Sequence, residues 1–171
     1  MIVLGIDIGL TGAIARIGGG LPAVVTDLPT LPDGEPRPGK GNRAFQPKRL
    51  DGRRLVELLR ELCPPDEKAM VIIEDVRPRP NPTRGTSIIT EGSLMRSRGV
   101  VEAAVEIQRL DLHTVHPQTW MRLYGISANG VDALEKARVL YPPLHHRLTR
   151  KLDHNRADSI LLAHWGQRSL T

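Results

Sequence analysis

Residues 2–12 read Ile2-Val3-Leu4-Gly5-Ile6-Asp7-Ile8-Gly9-Leu10-Thr11-Gly12. Five of the first seven are apolar and most of those are β-branched, so the stretch predicts a buried strand. A carboxylate inside such a strand is costly unless it is paired or binds a cation. The fold and the chemistry of the chain therefore both turn on Asp7.

Working outward, Gly9 to Gly12 predict a turn and residues 13–17 a returning strand, so the chain opens with a hairpin. A third short strand follows over 22–28. The stretch PTLPDGEPRPGKGNRAFQP, residues 29–47, has five Pro and three Gly and reads as a long mobile loop carrying Arg37, Lys40 and Arg43. Pro47 is expected to open a helix whose apolar face is Leu50, Leu55, Leu58, Leu59 and Leu62, stopped by Pro64-Pro65. Residues 69–73 predict a second central strand, ending on Glu74. A Pro- and Arg-rich loop spans 77–87, and a helix spans about 89–109. Residues 111–115 read as a strand, and Pro117 starts a short helix through Trp120. Asn129 is placed to cap a helix over 131–141, and a last helix begins near His154. The order βββαβαβαα predicts one α/β domain over residues 1–171, a mixed sheet in three layers.

Bulk properties narrow the function. The 171 residues are enough for a real core, and aromatics make up only 3%, so that core must be aliphatic. A net charge of +5 and a pI near 9.9 point to a polyanionic partner. The single Cys63 excludes an internal disulfide and a cysteine-built zinc site, and fits a reducing compartment. The start lacks a basic region and its apolar run is broken by Asp7, unlike a signal peptide. No apolar run approaches the roughly 20 residues of a membrane span. A cytoplasmic protein is expected.

Asp7 and Glu74 stand at comparable places in two strands. If those strands are neighbours, the carboxylates meet at one sheet edge, where a divalent cation would neutralise them. The stretch KLDHNRADSILLAHW, residues 151–165, adds Asp153, His154 and Asp158 at the start of an amphipathic helix. Asp at a helix start is also ordinary capping. If the helix docks on the sheet, however, it brings these groups toward Asp7 and Glu74. Oxygen ligands from separate elements suit magnesium, and two such ions can hold the attacking water and leaving oxygen of a phosphodiester.

Five stretches carry a resemblance: GIDIGLTGA at 5–13, VIIEDV at 71–76, VHPQTWMRLYGI at 115–126, DALEKARVLYP at 132–142 and DHNRADSILLAHW at 153–165. In this order and spacing the chain resembles RuvC-type Holliday-junction resolvases of the phage-like and divergent bacterial branch, within the ribonuclease H-like nuclease superfamily. The resemblance implies a ribonuclease H-like fold with a five-stranded mixed sheet flanked by helices. It also implies a homodimer that resolves four-way DNA junctions by paired nicks in recombination and repair. Magnesium is the implied cofactor, with manganese as a substitute. Carried over by position, Asp7, Glu74 and Asp158 are the acidic ligands. Where many relatives have Asp or His three residues before the last acid, this chain has Asn155. Asp153 and His154, five and four residues before it, are the alternatives. Charge favours Asp153 as the fourth ligand, with His154 orienting water or phosphate. GIDIG also occurs in actin-like and sugar-kinase ATPases, but the chain is too short for two such domains. Two alternatives are a broader debranching nuclease for forks and flaps and a junction-binding protein without catalysis.

Arg77, Arg79, Arg84, Arg96 and Arg98 crowd the segment after Glu74 and are candidates for tracking phosphates, as is Lys136. No aromatic residue lies between 75 and 119, so a wedge from this region would have to be an Arg or Ile88. Trp120, Tyr124 and Tyr141 read as core or interface residues. The helix over 89–109 shows two apolar stripes, Leu94/Val101/Val105 and Val100/Ala104/Ile107. A helix lying on a sheet needs one, so the second predicts either a subunit contact or cover by another helix of the same chain.

Overall fold

The computed structural model describes residues 1–39, 44–76, 88–126 and 131–171. Strand β1 (Ile2–Asp7) pairs antiparallel with β2 (Ala13–Gly18), which pairs antiparallel with β3 (Val24–Asp27). Two small ladders follow. In one, β4 (Thr30–Pro32) pairs with β7 (Lys48–Leu50); in the other, β5 (Arg37–Pro38) pairs with β6 (Ala44–Phe45). Helix α1 (Gly52–Leu62) leads to β8 (Ala69–Glu74), and α2 (Ile88–Ile107) leads to β9 (Asp111–Val115). The chain ends with α3 (Pro117–Tyr124), α4 (Val131–Leu140), 3-10 turns at Pro142–Arg147 and Lys151–Asp153, and α5 (His154–Leu170).

The main sheet has the order β3-β2-β1-β8-β9, with β8 parallel to both β1 and β9. This is the mixed five-stranded sheet expected from the sequence. Side-chain alternation divides its two faces. Ile2, Leu4, Ile6, Val71 and Ile73 pack with Leu55 and Leu59 of α1 and Val101 and Val105 of α2. Val3, Met70 and Ile72 point the other way, against Ala157, Ile160, Leu161 and Ala163 of α5. Three layers result, helices on both faces.

Glycines set how closely α5 approaches. A Cβ on Gly5 would lie 2.1 Å from the Ser159 carbonyl oxygen and 2.4 Å from the Ala163 nitrogen. A Cβ on Gly166 would lie 2.5 Å from an Ile72 side-chain carbon. Only hydrogen at these positions lets the helix lie directly on β1 and β8.

Three expectations need correction. The segment 29–47 is not simply loop: its described part is a β-arm closed by the β4–β7 and β5–β6 ladders. The first helix starts at Gly52 rather than Pro47, because Asp51 caps it by accepting from the Arg54 amide and residues 48–50 are spent as strand. The short helix after Pro117 runs on to Tyr124, where Gly125 closes it in the left-handed conformation. Asn129 lies outside the described residues. The two stripes of α2 are also resolved. Val101, Ala104 and Val105 are all buried in one core, and Val100 packs against it, 3.3 Å from where a Cβ on Gly52 would sit. The second stripe is thus largely covered by α1 of the same chain. Only Ile107 of that stripe is exposed. Among the described residues, no helix is long and apolar enough to cross a membrane.

Candidate active site

Parallel pairing of β1 with β8 sets Ile6 opposite Ile73. One residue further along each strand stand Asp7 and Glu74, side by side at the edge where both strands end. Alternation turns both toward the α5 face, with Val3 and Gly5 in one strand and Met70 and Ile72 in the other. Helix α5 starts over this edge and places Asp158 in its second turn. Three carboxylates from three elements are directed to one sheet edge because two strands are in register and glycines let the helix come close.

The carboxyls act on one another electrostatically. Burial pushes the Asp7 carboxyl well above the usual carboxylate range, and the charges of Asp158 and Glu74 push it further. Burial and the charge of Glu74 raise Asp158 to about 7, against a pull downward from His154. Glu74 is raised by burial and restrained by a hydrogen bond from Trp120. Among the described residues no Lys or Arg figures among the groups acting on these three acids; the positive influences are His116 on Glu74 and His154 on Asp158. The acids stand within electrostatic reach of one another, but among the described residues no three such side chains converge as a ready metal cage. As donors they fit a hard divalent cation: three like-charged oxygen ligands with no Lys or Arg paired to them among the described residues.

The other residues singled out from the sequence divide clearly. Trp120, 1% exposed, donates its indole N–H to Glu74 Oε1 at 2.7 Å and so fixes that carboxylate. The sequence marked Trp120 as core, which it is. The hydrogen bond was not readable, because α3 reaches β8 only through the tertiary fold. His154 acts electrostatically on Asp158, one helical turn away, and its Nδ1 lies 3.2 Å from the Lys151 carbonyl oxygen. Asn155 donates to the Thr11 carbonyl oxygen at 2.6 Å and to Thr11 Oγ1 at 3.0 Å. It ties the start of α5 to the turn after β1.

Asp153 is placed differently from the expectation. It is 3% exposed and its oxygens are already engaged. Oδ2 accepts from the Arg150 amide at 2.7 Å; Oδ1 accepts from the Arg150 guanidinium at 2.8 Å and from Arg156 at 3.3 Å. The Arg150 hydrogen bond holds its carboxyl below the usual range, the opposite direction from the three clustered acids. Arg156 in turn grips Asp27 at the end of β3 through two 2.6 Å contacts. Asp153 is therefore part of a latch between α5 and the sheet edge, and the charge argument for it as fourth ligand does not match this geometry.

Among the basic candidates, Arg77, Arg79 and Arg84 lie outside the described residues. Arg96 is exposed and pairs with Asp33 at 2.7 Å. Arg98 pairs with Glu102 at 2.8 Å and donates to the Val76 carbonyl oxygen, so it is engaged within the chain. Lys136 is half-buried on α4.

No protein-family model and no curated protein matches the sequence. Solved structures do. One is a Thermus thermophilus RuvC structure, with TM-score 0.56 and 16% identity over 100% of this chain and 98% of that one. Another is T. thermophilus RuvC in complex with Holliday junction substrate, with TM-score 0.58 and 13% identity over 99% and 97% of the two chains. The fold is that of RuvC. The likeness to RuvC covers β1, β8 and α5, the three elements that carry Asp7, Glu74 and Asp158. At this level of identity it is a likeness of fold, within which the acid cluster is this chain's own observation.

Proposed function

We propose that the protein is a structure-selective DNA endonuclease that resolves four-way junctions by paired, magnesium-dependent nicks. The observation that carries this reading is the placing of Asp7, Glu74 and Asp158 at one sheet edge, within electrostatic reach of one another and with no Lys or Arg paired to them among the described residues, on a fold shared with a protein solved on a Holliday junction. Magnesium bound there would supply a Lewis acid and an activated water for phosphodiester hydrolysis. The chain's residues supply the rest. Asp7, Glu74 and Asp158 would hold the ion, and Trp120 fixes Glu74 through its indole N–H. His154, beside Asp158, is the proton carrier or phosphate donor. Asn155 keeps α5 seated against the β1–β2 turn. Paired nicks on a two-fold junction ask for a homodimer. That part of the reading rests on the resemblance of the sequence motifs, since α2 spends most of its second stripe on α1.

The test is a panel of branched DNAs of common sequence, comprising a four-way junction, a fork, a flap and a linear duplex, incubated with magnesium or with EDTA. The reading expects metal-dependent cleavage, with the four-way junction cut in two opposed strands. Equal cutting of forks and flaps would favour a broader debranching nuclease. Binding of the junction without any cutting would make the protein a junction binder.

A further inference from the structure

The β-arm, in its described residues 30–39 and 44–50, is a part of the molecule that the acid cluster does not use. It is held in place, not adrift. Asp33 bridges it to the body by accepting from Arg96 of α2 at 2.7 Å, and it lies 3.5 Å from Arg49 within the arm. The Gln46 side chain donates to the Gly34 carbonyl oxygen at 3.0 Å, closing the arm across its width. Between arm and α2 lies a hollow of about 330 Å³ that reaches Leu10, in the turn that follows Asp7. Arg37, Lys48, Arg49 and Arg96 line it.

Two features of the arm point to one kind of occupant. The chain's single Phe is Phe45, on β6, and it is 58% exposed. It stands in direct register with Arg37 of β5, also exposed. An aromatic ring beside a guanidinium on the surface suits a base plane with its phosphate. Charge agrees with this. In the described arm and the facing part of α2, Arg37, Lys48, Arg49 and Arg96 outweigh Asp33 and Glu35, and Asp33 is spent on Arg49 and Arg96. Arg37 and Lys48 have no carboxylate in ion-pair distance among the described residues.

From this we infer that the arm is a DNA-contacting element: Phe45 stacks on an unpaired base at the branch, while Arg37 and Lys48 hold the adjoining phosphates along the hollow that leads to Leu10. The inference rests on the nuclease reading above and adds to it the part of the chain that senses unpaired bases. It also separates two jobs, since stacking needs an open base whereas phosphate contacts serve any duplex.

The experiment measures fluorescence anisotropy of labelled four-way junction and labelled linear duplex, in EDTA, over a series of salt concentrations. Phe45→Ala should weaken junction binding about tenfold, in line with the loss of one stacked base, and leave duplex binding unchanged. Phe45→Trp should restore it. Arg37→Ala with Lys48→Ala should weaken both DNAs and reduce the slope of log affinity against log salt by about 2. A junction carrying 2-aminopurine at the branch should show quenched fluorescence with the wild type but not with Phe45→Ala. Junction binding by Phe45→Ala equal to wild type would overturn the arm's role alone. So would a shift of Phe45→Ala toward a smaller species in light scattering without DNA, because the ring would then serve a second copy of the chain. Failure of the wild type to bind any branched DNA would overturn both this inference and the nuclease reading.

Discussion

The residue scale is dominated by Asp7. The strand that buries it would be more stable with an apolar residue there, and burial together with Asp158 and Glu74 raises its pKa well above the usual range. The consequence for stability has a definite sign. A carboxylate whose folded pKa is raised binds its proton more tightly when folded, so its favourable contribution is complete below the unfolded value near 3.8 and is lost as pH rises through the folded one. For Asp158 that upper limit is about 7. Metal-free protein in EDTA should therefore melt at a lower temperature at pH 8 than at pH 5.5, and magnesium should recover the loss at pH 8. Asp7→Asn should raise the pH 8 melting temperature in EDTA by a few degrees, at about 2–4 °C per kcal/mol for a chain of this size, and should abolish the magnesium effect. Calorimetric scans at the two pH values check both. A wild-type melting temperature that is the same at both, with and without magnesium, would mean that the three acids do not act on one another. Asp7 stands out in the sequence as a charge inside a β-branched run, and only the pairing of β1 with β8 and the docking of α5 show which acids lie near it. The Trp120 hydrogen bond to Glu74 was not legible there, because it joins residues 46 positions apart.

At the scale of elements, α5 both seats the site and locks the sheet edge, and neighbouring residues in its first turns divide these tasks. Asp158 joins the acids with His154 one turn before it, Asn155 holds the β1–β2 turn, and Asp153 with Arg156 grips Asp27. Sequence reasoning could place all of them near one helix start. It could not sort them by direction, since the 3-10 turn at Lys151–Asp153 sets where Asp153 points before the helix proper begins. This sorting separates two variants. Asp153→Asn should lower stability by roughly 1.5–3 kcal/mol, the range for a hydrogen bond to a charged group, while leaving the magnesium dependence of nicking unchanged. His154→Ala should leave the urea midpoint nearly unchanged and slow nicking. Urea unfolding and magnesium titration of initial rates, run on both variants, check this. A right-shifted magnesium curve for Asp153→Asn with unaltered stability would restore Asp153 as a ligand. The β-arm is the element that composition misled most. Its Pro and Gly content reads as loop, yet the segments pair across those turns, with Thr30 opposite Leu50 and Arg37 opposite Phe45. Such pairings depend on register between short segments, which periodicity over two or three residues cannot reveal.

For the whole molecule, the alternation of strands and helices was enough to anticipate a mixed sheet between helical layers, because strand period and helix period differ plainly in β1, β8 and α1. What periodicity could not decide was which apolar faces meet within the chain. Both stripes of α2 looked available, and only the fold shows that α1 covers much of the second. Val101 and Val105 are fully buried, so Glu at either position unfolds the chain rather than releasing a monomer. In the function proposed above, Asp7, Glu74 and Asp158 would form one metal-dependent hydrolytic site on a body that binds branched DNA. The most direct measurement uses one labelled four-way junction with wild type and Asp7→Asn, scoring binding in EDTA and nicking after magnesium is added. The variant should bind equally or slightly more tightly, since a charge that repels phosphate is gone. The wild type should nick only with magnesium, and the variant not at all. Nicking by Asp7→Asn at the wild-type rate, or nicking by the wild type in EDTA, would contradict the proposed function.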